Sequence, residues 1–228
     1  MTSPATTASY ETAVTDLLGL VAYGELTAFE RLAADSALAP TLAGKVQVAT
    51  MAAAEFDHFR KVHARLAELG ADPTAAMEPF VGAIDAFHEQ TRPTGWLESL
   101  VKAYIGDALT ADFYREAARH LDGESRAVVR DVLEDMGHGA FVVEHVRAAI
   151  AADPKVGGRL ALWGRRIMGE ALSQAQQIAI RRPALAALLA GLLCAPDAEA
   201  GDEDGVGRML MRLTESHGAR MAALGLSA

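Results

Sequence analysis

The sequence predicts an all-α protein whose core is a four-helix bundle, made of two helical hairpins that one long crossover joins. Apolar residues recur every three to four positions in each long segment, which is the spacing of a buried helix face. Alanine is the commonest apolar residue and runs of β-branched residues are scarce, so the composition favours helix over strand. A pattern of acidic residues and histidines also occurs twice, once in each half of the bundle segment.

The first hairpin is predicted to contain two long helices. The first helix covers roughly Tyr10–Ala34, and Glu25 lies in the middle of its apolar stripe. The second covers about Thr41–Leu69, after which a glycine and an Asp-Pro pair end it. This second helix contains Glu55 and His58, which stand three residues apart and therefore lie on one helix face.

The crossover between the hairpins is about 25 residues long, which exceeds a tight turn and is typical of bundles with a long connection. It includes a short amphipathic segment, Pro79–Glu89, and ends at an Arg-Pro pair. Asp85 and His88 within this segment have the same three-residue spacing. Because this copy has no repeat partner, we predict that it lies at the protein surface.

The second hairpin is predicted to repeat the pattern of the first. Its helices cover about Gly95–Leu121 and Glu124–Ala151. Asp107 lies mid-stripe on the first of these helices, and Asp135 and His138 stand three residues apart on the second. An acid followed one hairpin later by acid-x-x-His therefore occurs twice, and such a repeat indicates two similar halves of one bundle.

The rest of the chain is predicted to add helices to the bundle without forming a second domain. We assign residues 1–152 to the bundle and residues 153–228 to C-terminal helices that pack on it. The added helices are predicted over Val156–Ile180, over a short segment that ends at Leu193, and over Val206–Leu224. The acidic, glycine-rich segment Pro196–Gly205 is predicted to be a solvated loop.

Charge and cysteine content limit the classes of function. A net charge of −9 argues against broad nonspecific binding of nucleic acid, which requires cations against phosphates. The single cysteine, Cys194, excludes an internal disulfide and suits a reducing compartment. The first residues lack the basic region of a signal peptide, and the longest apolar run, Ala184–Ala195, is too short to span a bilayer. We therefore expect a cytoplasmic protein without a membrane segment.

In the predicted bundle, the repeat brings four carboxylates and two histidines to the centre. Four buried negative charges cannot coexist without neutralisation, because some of the acids would take up protons. Two divalent cations would cancel them, and oxygen ligands combined with imidazole suit iron or manganese, with zinc as another candidate. The alternative is a metal-free bundle in which the buried acids pair with arginine or histidine.

Four stretches of the chain resemble the ferritin-like superfamily, which carries the pattern E…ExxH…E…ExxH. They are LLGLVAYGELTAFERLA, MAAAEFDHF, YIGDALTADFYREAA and LEDMGHGAFVVEHV. Within that superfamily the chain resembles the branch of the tRNA hydroxylase that acts on 2-methylthio-N6-isopentenyladenosine. The resemblance implies a ferritin-like bundle with two iron ions. The implied metal ligands are Glu25, Glu55, His58, Asp107, Asp135 and His138.

The same resemblance implies a non-haem di-iron enzyme, an O2-dependent hydroxylase or oxidase that uses O2 and an electron donor. A tRNA substrate would suit the basic segment Lys155–Arg182, but we favour the interpretation of that segment as a solvated helix face. The alternative function is a ferritin-like protein that binds metal without catalytic turnover. Apolar residues of the C-terminal helices, notably Leu160, Trp163 and Ile167, lead us to expect a homodimer.

The second half of the repeat departs from the family pattern, because it has aspartate at both acidic positions. Aspartate is one methylene shorter than glutamate, so we expect metal bound by the first half to be held more tightly. Gly106 and Gly137 stand beside these aspartates and would permit a close approach of the helices. Tyr104 and Tyr114 lie on the same stripe as Asp107, where we expect them to pack in the core. Hydrogen bonding to a ligand, or carrying a radical, is the alternative role.

Overall fold

The computed structural model describes residues 4–134, 139–195 and 205–227, and the regular secondary structure in these ranges is entirely helical. The predicted all-α class is therefore confirmed. The helices are α1 (Pro4–Asp35), α2 (Leu42–Glu68), α3 (Pro73–Met77), α4 (Val81–Gln90), α5 (Trp96–Ala118), α6 (Gly123–Glu134), α7 (Gly139–Ala152), α8 (Pro154–Arg181), α9 (Pro183–Leu189) and α10 (Gly205–Ala223).

The first hairpin consists of α1 and α2, which pack against each other along most of their length. A short 3-10 turn, Ser36–Leu38, joins them, and the side chain of Thr41 begins α2 by accepting a hydrogen bond of 3.1 Å from the Gly44 N–H. Leu17 and Leu18 of α1 are fully buried in the same core cluster as Leu66 of α2. The two apolar stripes thus meet as the sequence periodicity predicts.

The crossover contains α3, a 3-10 turn and α4, and it folds back against α1. Asp72 caps α3 by accepting hydrogen bonds from the backbone N–H groups of Thr74 and Ala75. A Cβ atom at Gly19 of α1 would lie 2.1 Å from the carbonyl oxygen of Ala76. Only glycine allows this close approach, which holds the crossover tightly on the first hairpin.

The second hairpin consists of α5 packed against α6 and α7. Together α6 and α7 cover the predicted fourth helix, and residues 135–138 between them lie outside the described residues. The buried guanidinium of Arg65 on α2 connects the hairpins, since it forms ion pairs of 3.4 Å with Asp122 and 2.7 Å with Glu124. These contacts place the two hairpins side by side in one bundle.

The C-terminal helices cover one side of the bundle. Helix α8 packs on α5, α4 and α7, α9 packs on α1, and α10 packs on α5 and α8. Leu160 and Ile167 of α8 are fully buried, and Arg182 forms an ion pair with Asp16 of α1. Among the described helices, none combines the length and the apolar character that crossing a membrane requires.

Candidate metal centre

Two acids and one histidine of the first hairpin converge inside the bundle. Glu25 of α1 faces Glu55 and His58 of α2, and one donor atom from each of the three lies within 4.8 Å of the others. Glu25 and His58 are each only 1% exposed. The arrangement follows from local geometry, because residues three apart on α2 lie on one face and the antiparallel α1 supplies the third donor.

The contacts within this cluster are of ion-pair length. The Nδ1 atom of His58 lies 3.4 Å from Oε2 of Glu25 and 3.6 Å from Oε2 of Glu55. The other oxygen of Glu25, Oε1, accepts a short hydrogen bond from the hydroxyl of Tyr114 on α5. Each acid thus directs one carboxylate oxygen at the imidazole. These two oxygens and the Nδ1 atom of His58 lie close together inside the bundle.

Burial and mutual charge shift the pKa values of this cluster upward. Burial, together with the neighbouring charge of Glu25, raises the pKa of Glu55 to about 8, although His58 opposes this shift. Burial by itself would lower the pKa of His58, but its contacts with Glu25 and Glu55 outweigh burial and raise that pKa to about 10. The cluster therefore holds protons near neutral pH, and a divalent cation with these ligands would displace them.

The chemistry of the donor set fits a divalent metal ion. Two carboxylates and one imidazole offer oxygen and nitrogen ligands, which suit iron, manganese or zinc. Their burial makes neutralisation by a cation favourable, because unpaired buried carboxylates are costly. These residues also follow the acid and acid-x-x-His pattern that the sequence predicts for one half of a paired site.

The second half of the predicted site is described only in part. Asp107 of α5 lines the same cavity as Glu25 and Glu55, and burial together with the charge of Glu55 raises its pKa to about 7. It is not one of the three residues whose donor atoms converge. Asp135 and His138 lie outside the described residues.

The predicted close approach of helices at the glycines beside these aspartates stays a prediction, because the segment that carries Asp135 lies outside the described residues. Among the described residues, a Cβ atom built at Gly106 would meet nothing within 4 Å. Gly106 forms part of the wall of the internal cavity. Gly137 lies outside the described residues.

Tyr114 is buried in the core, as the sequence predicts, and its hydroxyl also makes a functional contact that core packing does not predict. Its hydrogen bond to Glu25 joins α5 to α1 across 89 residues of sequence. Burial and the charge of Glu25 raise the pKa of Tyr114 well above its ordinary value, so the phenol remains a donor. Its place on the Asp107 stripe, two turns further along α5, is the sequence signal that could have identified it.

A cavity of about 360 Å³ opens beside the three acids. Glu25, Glu55, Asp107 and Tyr114 line it, and most of its wall is apolar. Helices α8, α9 and α10 close one side with apolar residues that include Met168, Leu185, Leu189, Met209 and Leu213. Sequence reasoning gave these C-terminal helices no part in the site, yet they supply one wall of the cavity.

The predicted surface position of the Asp85 and His88 pair is wrong for His88. The imidazole of His88 lines the cavity, and its Nε2 atom lies 3.1 Å from the hydroxyl oxygen of Thr27. Burial and the nearby cations Lys102 and Arg31 lower its pKa to about 3, so the ring is neutral. Asp85 points away from the cavity and accepts a hydrogen bond of 2.8 Å from Tyr23, in an exposed position.

Comparison with known proteins agrees with this architecture. A family model described as "Ferritin-like domain, actinomycetes" matches residues 8–192. A solved structure described as "Protein 19 with aldehyde deformylating oxidase activity from Synechococcus" is 17% identical in sequence, with a TM-score of 0.73 over 98% of this chain and 94% of that chain. Its similarity confirms the ferritin-like helical fold. Comparison with functionally curated proteins gives no significant match.

Proposed function

Because the chain belongs to the family of actinomycete ferritin-like domains, we propose that it is a non-haem di-iron oxidase whose organic substrate binds in the internal cavity. One observation carries this proposal. The buried cluster of Glu25, Glu55 and His58 borders a largely apolar cavity of about 360 Å³. Pockets of this size, with few polar groups on apolar walls, are typical of small-molecule sites. A protein that only stored metal would not need such a cavity.

The proposed ligands divide into two sets. Glu25, Glu55 and His58 hold the first iron ion, and Asp107 together with the two residues outside the described ranges, Asp135 and His138, holds the second. Bound iron would supply the electrons that reduce dioxygen. The four acids of this set balance the charge of two divalent ions, which accounts for the burial of so many carboxylates.

The protein's own residues then have three roles. Tyr114 orients Glu25 by its hydrogen bond, so that Oε2 faces His58. The apolar walls from α8, α9 and α10 exclude water from the space next to the acids. The cavity itself holds an apolar part of the substrate beside Glu55 and Asp107, where the reacting carbon must lie.

Two related activities supply the first substrates to test. The solved neighbour is described as having aldehyde deformylating oxidase activity, so a hydrocarbon aldehyde is the first class. The sequence resemblance supplies the second, the isopentenyl group of a modified tRNA base. Two arginines of the basic segment already have partners within the chain, since Arg182 pairs with Asp16 and Arg165 donates to the carbonyl oxygen of Ser227. These contacts favour the smaller, free hydrocarbon substrate.

The test is to add ferrous iron anaerobically to metal-free protein, admit air, and record bound iron, oxygen consumption and the absorption spectrum. We expect two iron ions per chain and oxygen uptake that increases with a hydrocarbon substrate. The Glu55→Ala variant should lose both properties, whereas Asp57→Ala, an exposed acid on the same helix, should keep them. Stable iron binding without oxygen uptake would instead establish the alternative, a metal-binding protein without turnover.

A further inference from the structure

One end of the cavity carries a buried lysine that lacks an ion-pair partner. Lys102 of α5 is 7% exposed and lines the cavity. Its Nζ lies 5.6 Å from the centre of the Phe87 ring. Among residues 4–134, 139–195 and 205–227, no carboxylate lies within 4 Å of Nζ and no hydrogen bond satisfies it. The charged groups that influence Lys102 most are Asp35 and Arg31, and they do so by electrostatic interaction without direct contact.

Arg65 shows what this protein does with a structural buried cation. It is also 7% exposed, but Glu124, Glu68 and Asp122 surround its guanidinium at 2.7, 3.2 and 3.4 Å. A buried charge without such partners is costly. Burial lowers the pKa of Lys102 to about 8, and Arg31 lowers it further while Asp35 opposes this. The amine thus stays mostly charged at neutral pH and faces a cavity that could hold its counter-ion.

The position of Lys102 relative to the metal ligands follows from helix geometry. Lys102 precedes Asp107 by five residues on α5, which corresponds to about 7.5 Å of helix rise. On the neighbouring α1, Arg31 follows Glu25 by six residues, or about 9 Å. Both cations therefore lie beyond the acids in the same direction, because Tyr114 lies beside Glu25 while Lys102, earlier on α5, lies near Arg31 and Asp35, later on α1. Apolar residues of α9 and α10, among them Leu185, Leu189 and Leu213, also line the cavity.

The charges at this end match a singly charged anion. Lys102 and Arg31 contribute two positive charges, and Asp35 contributes one negative charge where it is ionised. His88 adds no charge, because its ring is neutral. A net charge of about +1 suits a carboxylate better than a dianionic phosphate. Arg31 is exposed, which places this end of the cavity near the protein surface.

We propose that the cavity binds an amphipathic ligand, a hydrocarbon chain with a carboxylate end that Lys102 holds. The chain then passes Glu55 and Asp107 and ends among the apolar residues of α9 and α10. The group beside the metal ligands is therefore a carbon within the chain, several bonds from the carboxylate. The claim that this ligand is the substrate rests on the proposed function. The claim that the cavity binds such a ligand does not.

The test measures binding of decanoate and of 1-decanol to the metal-free full chain by titration calorimetry in the presence of a chelator. The two ligands share a chain and differ in the end group. Wild-type protein should bind decanoate more tightly than decanol. Lys102→Met should weaken decanoate binding about tenfold or more, the effect of losing a charge-assisted hydrogen bond, and change decanol binding less than twofold. Lys45→Met, an exposed lysine on α2, should change neither.

Three results would overturn the inference. They are unchanged decanoate binding by Lys102→Met, equal losses of decanoate and decanol, and wild-type protein that binds decanoate no more tightly than decanol. The last comparison needs no variant, so it decides the matter even if Lys102→Met does not fold. Iron analysis of the same preparations separates this inference from the proposed function. Selective decanoate binding without iron uptake would refute the oxidase and leave the carboxylate site intact.

Discussion

Tyr114 on α5 donates its phenolic hydrogen to Oε1 of Glu25 on α1, and both side chains are buried. This bond connects the first helix of one half of the repeat to the first helix of the other half. It also orients Glu25, because Oε2 is then directed at Nδ1 of His58. A residue that is not itself one of the predicted metal ligands thus orients one of those ligands.

Tyr114→Phe tests this orienting role. The change removes only the hydroxyl, and we expect iron affinity of the first-half site to fall about 10- to 100-fold, the usual effect of losing a partner of a metal ligand. Competition with a chelator of known affinity measures the change. Tyr104→Phe, on the same helix, is the matched control and should leave iron affinity unaltered. Equal affinities of Tyr114→Phe and wild-type protein would contradict the role.

The two halves of the repeat should bind metal unequally, because glutamate reaches further than aspartate. Glu55→Ala should therefore remove more bound iron than Asp135→Ala, and Asp135→Glu should increase occupancy of the second position if reach limits it. His58→Ala should weaken the first position selectively. Metal stoichiometry by mass spectrometry measures all four variants. Equal losses from Glu55→Ala and Asp135→Ala, starting from two full equivalents, would show that the shorter side chains are compensated.

The metal-free protein should lose stability as pH rises from about 5 to 8, because above pH 8 the lowered pKa of Lys102 opposes the loss from His58. The folded-state pKa of Glu55 is raised to about 8 and that of His58 to about 10. A group whose pKa is raised by folding stabilises the protein fully at pH values below its unfolded-state pKa. This contribution is lost as pH rises through its folded-state pKa. Iron affinity should change in the opposite direction, because binding releases these protons.

Urea denaturation in the presence of a chelator, repeated at several pH values, measures this dependence. Glu55→Gln is the informative variant, since it keeps the size of the side chain and removes its titration. Its stability should vary less between pH 5 and pH 8 than that of the wild-type protein. A wild-type stability that rises over this interval would refute the assignment.

Lys102→Met should stabilise the ligand-free protein at pH 7. The pKa of Lys102 is lowered to about 8 in the folded protein. The folded protein is therefore destabilised, relative to high pH, as pH falls from the unfolded-state pKa of Lys102 through 8 and the buried amine takes up a proton. Removing this buried charge should raise the free energy of unfolding by about 1–3 kcal/mol. Urea denaturation, with Lys45→Met as the control, measures this gain in the free energy of unfolding. The gain should disappear near pH 11, where the amine is uncharged in both states. A loss of stability at pH 7 would show that the ammonium already has a satisfactory environment.

The homodimer remains a prediction, but the residues that could form its interface differ from those that the sequence suggests. Leu160 and Ile167, which suggested an interface, are fully buried within the chain. The exposed apolar residues of the same helix are Leu162 and Ile180, which are 64% and 82% exposed. We expect light scattering at micromolar concentration to give a dimeric mass, and Ile180→Asp to convert it to a monomer. A monomeric mass for the wild-type chain would refute the prediction.

Local spacing explains why much of the site was predictable. Glu55 and His58 share a helix face whatever the tertiary structure, and the periodicity around Glu25 predicts that it faces inward. The same reasoning failed for His88, because the spacing of a motif on a short crossover helix does not reveal which side of that helix folds against the bundle. The packing of α4 against α1 and α8 in the folded protein decided that orientation.

The sequence by itself determined the helical class, the two hairpins and the convergence of Glu25, Glu55 and His58, since periodicity, helix ends and a repeat are local properties that survive in any packing. Only the tertiary structure decided that Tyr114 bonds to Glu25, that the C-terminal helices line the cavity, and that Lys102 is buried with no carboxylate of the described residues in ion-pair contact. These features depend on which helix faces meet across large separations in sequence. Which faces meet results from the packing of the whole core, so it cannot be predicted from any short stretch of the chain.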